Sequence, residues 1–233
     1  MTREKLMEKY GEEKVLCIAN RLIKDDIDDL IRLTALYGNL RYRYNAEIDY
    51  EIKQIIPYVV VKNKNRVLVT KRLKCDERLV GQHSIGTGGH INSYDIVMDK
   101  NLIDMGPTIE NCIKREFSEE TNIEEFRSKS LKFVKCFVDN SSDVSKVHAC
   151  ILFEYEITDE EYKRFEIREK EKLEGNFIDL YEFDDSVIST LEGWSKIAYE
   201  ILKERLPKVS KSKKRRASEI DRKDMLEVWI KND

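Results

Sequence analysis

Six consecutive residues, Arg115-Glu116-Phe117-Ser118-Glu119-Glu120, carry the most readable chemistry in this sequence. At a helical repeat, Glu116, Glu119 and Glu120 share a stripe with Ile109, Cys112, Ile113 and Ile123. An ordinary amphipathic helix places its acids opposite the buried face, because desolvating an unpaired carboxylate is costly. Like charges one turn apart, here Glu116 and Glu120, add a penalty of about 0.2–0.5 kcal/mol. A hard divalent cation offsets both terms. Magnesium takes a few carboxylates, keeps several waters and commonly completes its shell with substrate phosphates, so glutamates clustered in a cleft point to phosphate chemistry. The alternative is a charged helix end held by Lys114, Arg115 and neighbouring cations.

Other reactive residues fit that chemistry or fall outside it. Lys71 and Arg72 end a strand that leads toward the expected cleft, where a guanidinium grips a phosphate at two points; an exposed strand end reads equally well. His83, His90 and His148 show no HxH or HExxH spacing, so a zinc site is not expected, and they read as structural or substrate-contact residues. Cys112 lies on the core stripe and reads as packing rather than as a nucleophile. No GxSxG or Walker glycine loop supports a serine hydrolase or a kinase.

The elements that must position these residues follow from periodicity. Residues 14–20 read as a strand and Asp25 to Tyr37 as a helix stopped by Gly38, with Leu40 to Tyr44 as a connector. Ile55 to Val61, a polar turn over residues 62–65 and Arg66 to Arg72 form a hairpin signal. Ser84 to Ile91 is a glycine-dense strand, where small residues mark close approach of another backbone or a ligand. Residues 93–105 read as a loop insertion, Thr108 to Thr121 as the carboxylate helix, and Leu131 to Val138 and Val147 to Ile157 as strands. A polar loop over Thr158 to Asn176 precedes a strand at Phe177 to Leu180. Asp185 to Leu206 reads as one helix, stopped by Pro207.

Whole-chain properties bound the function. With 233 residues, 41% hydrophobic and 37% charged, the chain suits one well-buried domain with extensions and excludes fibrous and disordered classes. A net charge of -3, from 42 basic and 45 acidic residues, does not predict a polyanion-binding protein, so any nucleic-acid contact is confined to the basic run from Lys208 to Arg216. Ser218 to Asp221 resembles a capping box before a short helix containing Met225, Leu226, Trp229 and Ile230. Five widely spaced cysteines without CxxC pairing suit reduced thiols in the cytoplasm, and no apolar stretch reaches membrane-spanning length.

The segment from Arg115 to Ile123 resembles the C-terminal half of the Nudix box, R-E-U-x-E-E-x-G-U with U aliphatic, and Gly88-Gly89 resembles the glycine pair that opens it. The likeness covers roughly residues 50–206, a span set by pattern, and the segments IIPYVVV, SIGTGGHIN and LEGWS are similar to those of MutT-like predicted phosphoesterases. It implies an α/β/α sandwich with a mixed sheet: residues 1–49 as an extension packed on the core, 50–206 as the Nudix domain, and 207–233 as a basic linker and short helix. Two departures stand out. Asn122 replaces the family glycine just past the helix, where asparagine is the usual second choice for a left-handed residue. About 13 residues are inserted between Gly89-His90 and Gly106, and Pro107 occupies the position of the first box glutamate.

Carried over by position, the resemblance implies magnesium, with manganese as the alternative ion, bound by Glu116, Glu119, Glu120 and the backbone carbonyl of Gly88. Arg115 orients the glutamates. The activity implied is hydrolysis of a diphosphate bond in a nucleoside-diphosphate-linked small molecule, by water made acidic on the metal. The general base expected is Glu171, with Glu120, Glu169 and Glu174 as rivals. Two other readings remain open: a catalytically silent nucleotide-binding sensor of the same fold, motivated by Pro107, and a prenyl-diphosphate isomerase using Cys75. Family members are often dimers.

Overall fold

The computed structural model describes residues 2–23, 27–73 and 82–207. The basic run, the capping box, the terminal helix and Cys75 lie outside the described residues, as does the side chain of Arg72. In chain order the elements are α1 (Arg3–Tyr10), β1 (Lys14–Ala19), α2 (Asn20–Ile23), α3 (Leu30–Tyr37), β2 (Asn39–Tyr42), α4 (Arg43–Ala46), β3 (Ile52–Asn63) and β4 (Arg66–Arg72). There follow β5 (His83–Ser84), β6 (Thr87–Gly88), β7 (Met98–Asp99), β8 (Leu102–Ile103), α5 (Met105–Glu120), β9 (Leu131–Phe137) and β10 (His148–Glu156). The last are α6 (Asp159–Lys163), β11 (Leu173–Asp179), α7 (Asp185–Thr190) and α8 (Gly193–Arg205).

The described residues form a mixed sheet of nine strands and a separate two-stranded hairpin, β7–β8. β3 is its centre: it pairs parallel with β10 along nine residues and antiparallel with β1, β4 and β6. Side chains alternate across a strand, and the two faces are built accordingly. Ile55, Val59, Ile151 and Phe153 pack with Ile109, Ile113 and Phe117 of α5, while Tyr58, Val60, Cys150 and Leu152 pack with Ala198, Tyr199 and Leu202 of α8. This is an α/β/α sandwich with a mixed sheet.

Several boundaries differ from expectation. The helix expected over Asp185 to Leu206 is two, α7 and α8, because Leu191 is drawn into a bridge with His83 and the Glu192 N–H donates to the His83 carbonyl at 2.9 Å. Residues 40–44 supply most of β2 and the start of α4 rather than a connector, residues 93–105 contain the β7–β8 hairpin, and the glycine-rich strand is the short pair β5 and β6. Thr158 to Asn176 is less loop than expected, since a capping box between Thr158 and Glu161 starts α6 and β11 begins at Leu173.

Three segments that carried the resemblance meet behind the sheet. The Tyr58 hydroxyl lies 2.8 Å from both Ser84 Oγ and Ser195 Oγ, and the Ile85 N–H donates to Ser195 Oγ at 3.1 Å. IIPYVVV, SIGTGGHIN and LEGWS are thereby joined through buried hydroxyls.

Asn122 also differs. Non-glycine positive φ among the described residues occurs at Lys64, Lys100 and Asn101, so Asn122 is not left-handed, and α5 ends instead on extended Thr121. The Asn122 amide crosses to the following loop: its Nδ2 donates to the Arg164 carbonyl at 2.5 Å, and its Oδ1 accepts from the Glu166 N–H at 2.9 Å. Asn122→Ala is expected to lower unfolding free energy by about 1–2 kcal/mol, two net hydrogen bonds, in a denaturant titration. A left-handed cap would predict the opposite for Asn122→Gly, which here destabilises as much as alanine does.

Candidate active site

α5 is built to bring carboxylates against a strand. Pro107 sits in its first turn, where a missing N–H costs nothing. Met105, Ile109, Cys112, Ile113 and Phe117 then anchor it to the sheet. That anchoring leaves Glu116 with a side chain only 14% exposed, whereas Glu119 emerges at 55%. The expected stripe therefore holds for Glu116, with Glu120 half-buried, but Glu119 lies on the exposed side.

The segment after β6 runs directly over Glu116. A Cβ placed on Gly89 would stand 1.8 Å from Glu116 Oε1 and 2.1 Å from its Cδ, so glycine is what admits the carboxylate there. A Cβ placed on Gly88, which pairs with Tyr58, would stand 2.9 Å from the Tyr58 ring.

Arg115 is the hub. Its Nη1 donates to Glu116 Oε1 at 2.5 Å and lies 3.8 Å from Glu119 Oε1; its Nη2 donates to Asp95 Oδ2 at 3.0 Å and to the His90 carbonyl at 2.8 Å. Burial alone would lower the Arg115 pKa, but the Asp95 hydrogen bond and the Glu116 charge outweigh it and hold the guanidinium charged. Burial raises the Glu116 pKa, Arg115 opposes that, and Glu119 and Asp95 add to the rise. A buried carboxylate beside two further acids and one arginine is a donor set of hard oxygens with net negative charge, which fits a divalent cation. Burial also raises the Cys112 thiol well above its ordinary value, so it stays a packed thiol.

The C-terminal end of α5 is met by the loop before β11. The Arg168 N–H donates to the Glu120 carbonyl at 2.8 Å, and the Arg168 guanidinium to that of Ser118 at 2.8 Å. Lys172 pairs with Glu169 at 2.5 Å; that hydrogen bond, with smaller contributions from Glu119 and Glu120, raises the Lys172 pKa. Glu169 is thus held near the box acids. Glu171 is an exposed turn residue, and Glu174 lies on β11 opposite Lys71, which also pairs in register with His83. Arg72 ends β4 opposite Leu173.

Two features were not legible beforehand. Asp95, 3% exposed, lies in the segment read as an insertion, and only its Arg115 partner reveals its role. Glu47, His90 and His148, far apart in sequence, converge in space. No helix among the described residues is long and apolar enough to cross a membrane.

No family model matches the chain. It is 30% identical over 176 residues to Protein YmaB of Bacillus subtilis (strain 168), covering 74% of this chain and 82% of that protein. Among solved structures it is similar to Tm1382, described as a Nudix hydrolase, with 27% identity and a TM-score of 0.66 over 83% of this chain and 100% of that one. DR0079 from Deinococcus radiodurans shares the fold at 10% identity and a TM-score of 0.50, over 81% of this chain and 98% of its own.

Proposed function

This chain belongs to the Nudix superfamily, hydrolases of phosphorus-containing anhydrides, and on that premise we propose that it cleaves the diphosphate bond of a nucleoside-diphosphate-linked substrate with magnesium. The observation that carries this reading is the placement of Glu116 under Gly89 in the grip of Arg115. Glu116, Glu119, Glu120 and the Gly88 carbonyl would hold the cation, with manganese as the alternative ion. The cation supplies a more acidic bound water and neutralises charge on the phosphates.

The protein's own groups do the rest. Arg115 fixes Glu116 and leans on Asp95, so the carboxylate is oriented before substrate arrives. Lys71, with Arg72 beside it, would bind the non-bridging phosphate oxygens. Water attacks one phosphorus, its proton passes to a carboxylate, and the bridging P–O bond breaks to release a phosphate or nucleotide leaving group. Glu171 is the base we assign from its place ahead of β11, with Glu120, Glu169 and Glu174 as its rivals.

The test is a panel of nucleoside triphosphates, dinucleoside polyphosphates, ADP-ribose and nucleotide sugars with Mg2+, comparing wild type with Glu119→Gln and Glu171→Gln. At least one compound is expected to be turned over by the wild type, with Glu119→Gln losing about 100-fold or more in kcat, as several kcal/mol of metal stabilisation implies. Tight binding without turnover in the wild type would establish the sensor reading instead. Full turnover by Glu171→Gln would move the base to Glu120, Glu169 or Glu174.

A further inference from the structure

Behind the segment that follows Gly88-Gly89 lies a second group of metal-type donors, apart from the carboxylates of α5. Glu47 at the end of α4, His90 after β6 and His148 at the start of β10 each offer a ligand atom, all within 4.8 Å of one another. His90 Nε2 and His148 Nε2 stand 3.1 Å apart. His148 Nδ1 lies 2.5 Å from the Val144 carbonyl, so that nitrogen carries the proton and Nε2 presents a bare lone pair. A ligating histidine is normally set up this way, its other ring N–H spent on a carbonyl.

A second observation points into the same place. Gln54 is fully buried, and among the described residues neither its Oε1 nor its Nε2 has a hydrogen-bond partner. Its register partner in the parallel ladder is His148, so the two side chains leave the same face of the sheet side by side. A buried primary amide with no partner is costly. Glu47 keeps one oxygen against Arg43 Nε at 3.3 Å, leaving its second oxygen for another ligand, and the Arg43 charge is shared with Glu13 at 3.1 Å.

We propose that Glu47, His90 and His148 bind a zinc ion, completed by a water that hydrogen-bonds the Gln54 amide. Two imidazoles and one carboxylate form a donor set that suits zinc and its late first-row neighbours rather than magnesium. The ion fastens α4 to the first residue of β10 and to the segment after β6 that crosses Glu116. It also fixes His90, whose carbonyl accepts from Arg115. Its role is structural, and it does not depend on the identity of the substrate.

The full chain is stripped with chelator, dialysed against micromolar Zn2+ and assayed for bound metal by mass spectrometry; Co2+ loading reports the geometry through its visible absorption. One equivalent of zinc is expected in the wild type and in Glu119→Gln, with binding at least tenfold weaker and the Co2+ band lost in His148→Ala. Because His148 is buried and that variant can fail to fold, Glu47→Gln at the partly exposed ligand carries the same expectation. Loss of the zinc equivalent in Glu119→Gln alone would assign it to the box carboxylates and overturn the proposal. So would a wild type that takes up no zinc, or binding unchanged in Glu47→Gln, which would leave His90 and His148 as a plain hydrogen-bonded pair.

Discussion

Gly89→Ala should lower turnover about 100-fold while leaving the protein folded. The added methyl carbon would meet Glu116 Oε1 at 1.8 Å, Cδ at 2.1 Å and Oε2 at 2.7 Å, so the whole carboxylate has to leave its position. Gly89 does not need glycine for its backbone angles, since positive φ among the described glycines occurs only at Gly11. The conflict is therefore with one side-chain end, and a flexible glutamate end moves at small cost to stability. Its movement breaks the 2.5 Å contact with Arg115 and misplaces a proposed metal ligand by more than an ångström, a displacement that typically costs about two orders of magnitude in rate. Kinetics against Mg2+ concentration, alongside a thermal melt, separate the two effects. A raised Mg2+ requirement with a nearly unchanged melting temperature is the expected pattern; full activity at ordinary Mg2+ would show that Glu116 does not act from under Gly89.

What the sequence disclosed was what local period and spacing encode. The β3–β4 hairpin, β9, β10 and the body of α5 follow from alternation and helical repeat, and Glu116 betrays itself by standing where an apolar residue belongs. What it hid depends on partners distant along the chain. At Leu191 the helix break comes from its bridge to His83, a partner far away in the sequence. Asn122 looks like a left-handed cap until Glu166 and Arg164 supply other uses for its amide. Asp95 and His148 look like solvated or isolated polar residues until Arg115 and His90 arrive beside them. The N-terminal residues follow the same logic, since β1 gains its meaning by pairing with β3.

Phe117 is the one residue of the Arg115–Glu120 run that carries no charge and no hydroxyl, and its replacement should have the largest effect on stability. It is 1% exposed and meets two other rings, Tyr155 edge-on with centroids 5.1 Å apart and Phe126 tilted at 6.2 Å. Tyr155 in turn stacks on Phe126 at 5.3 Å, and its hydroxyl accepts from the Arg127 N–H at 2.9 Å, so the ring cluster holds both α5 and the chain that leaves it. Phe117→Ala removes the shared ring and leaves a cavity that the strand side cannot close, at a cost of about 3–5 kcal/mol. For a protein of this size that lowers the melting temperature by roughly 10 °C. Phe117→Leu, which keeps most of the volume, should recover more than half of the loss. At a temperature where both variants remain folded, the Mg2+ requirement of Phe117→Ala should rise as well, because Glu116 and Glu120 flank the same turn. A stable Phe117→Ala protein with unaltered Mg2+ dependence would mean that the carboxylates are held in place by Arg115 and the glycine segment alone, with no help from the packing beneath them.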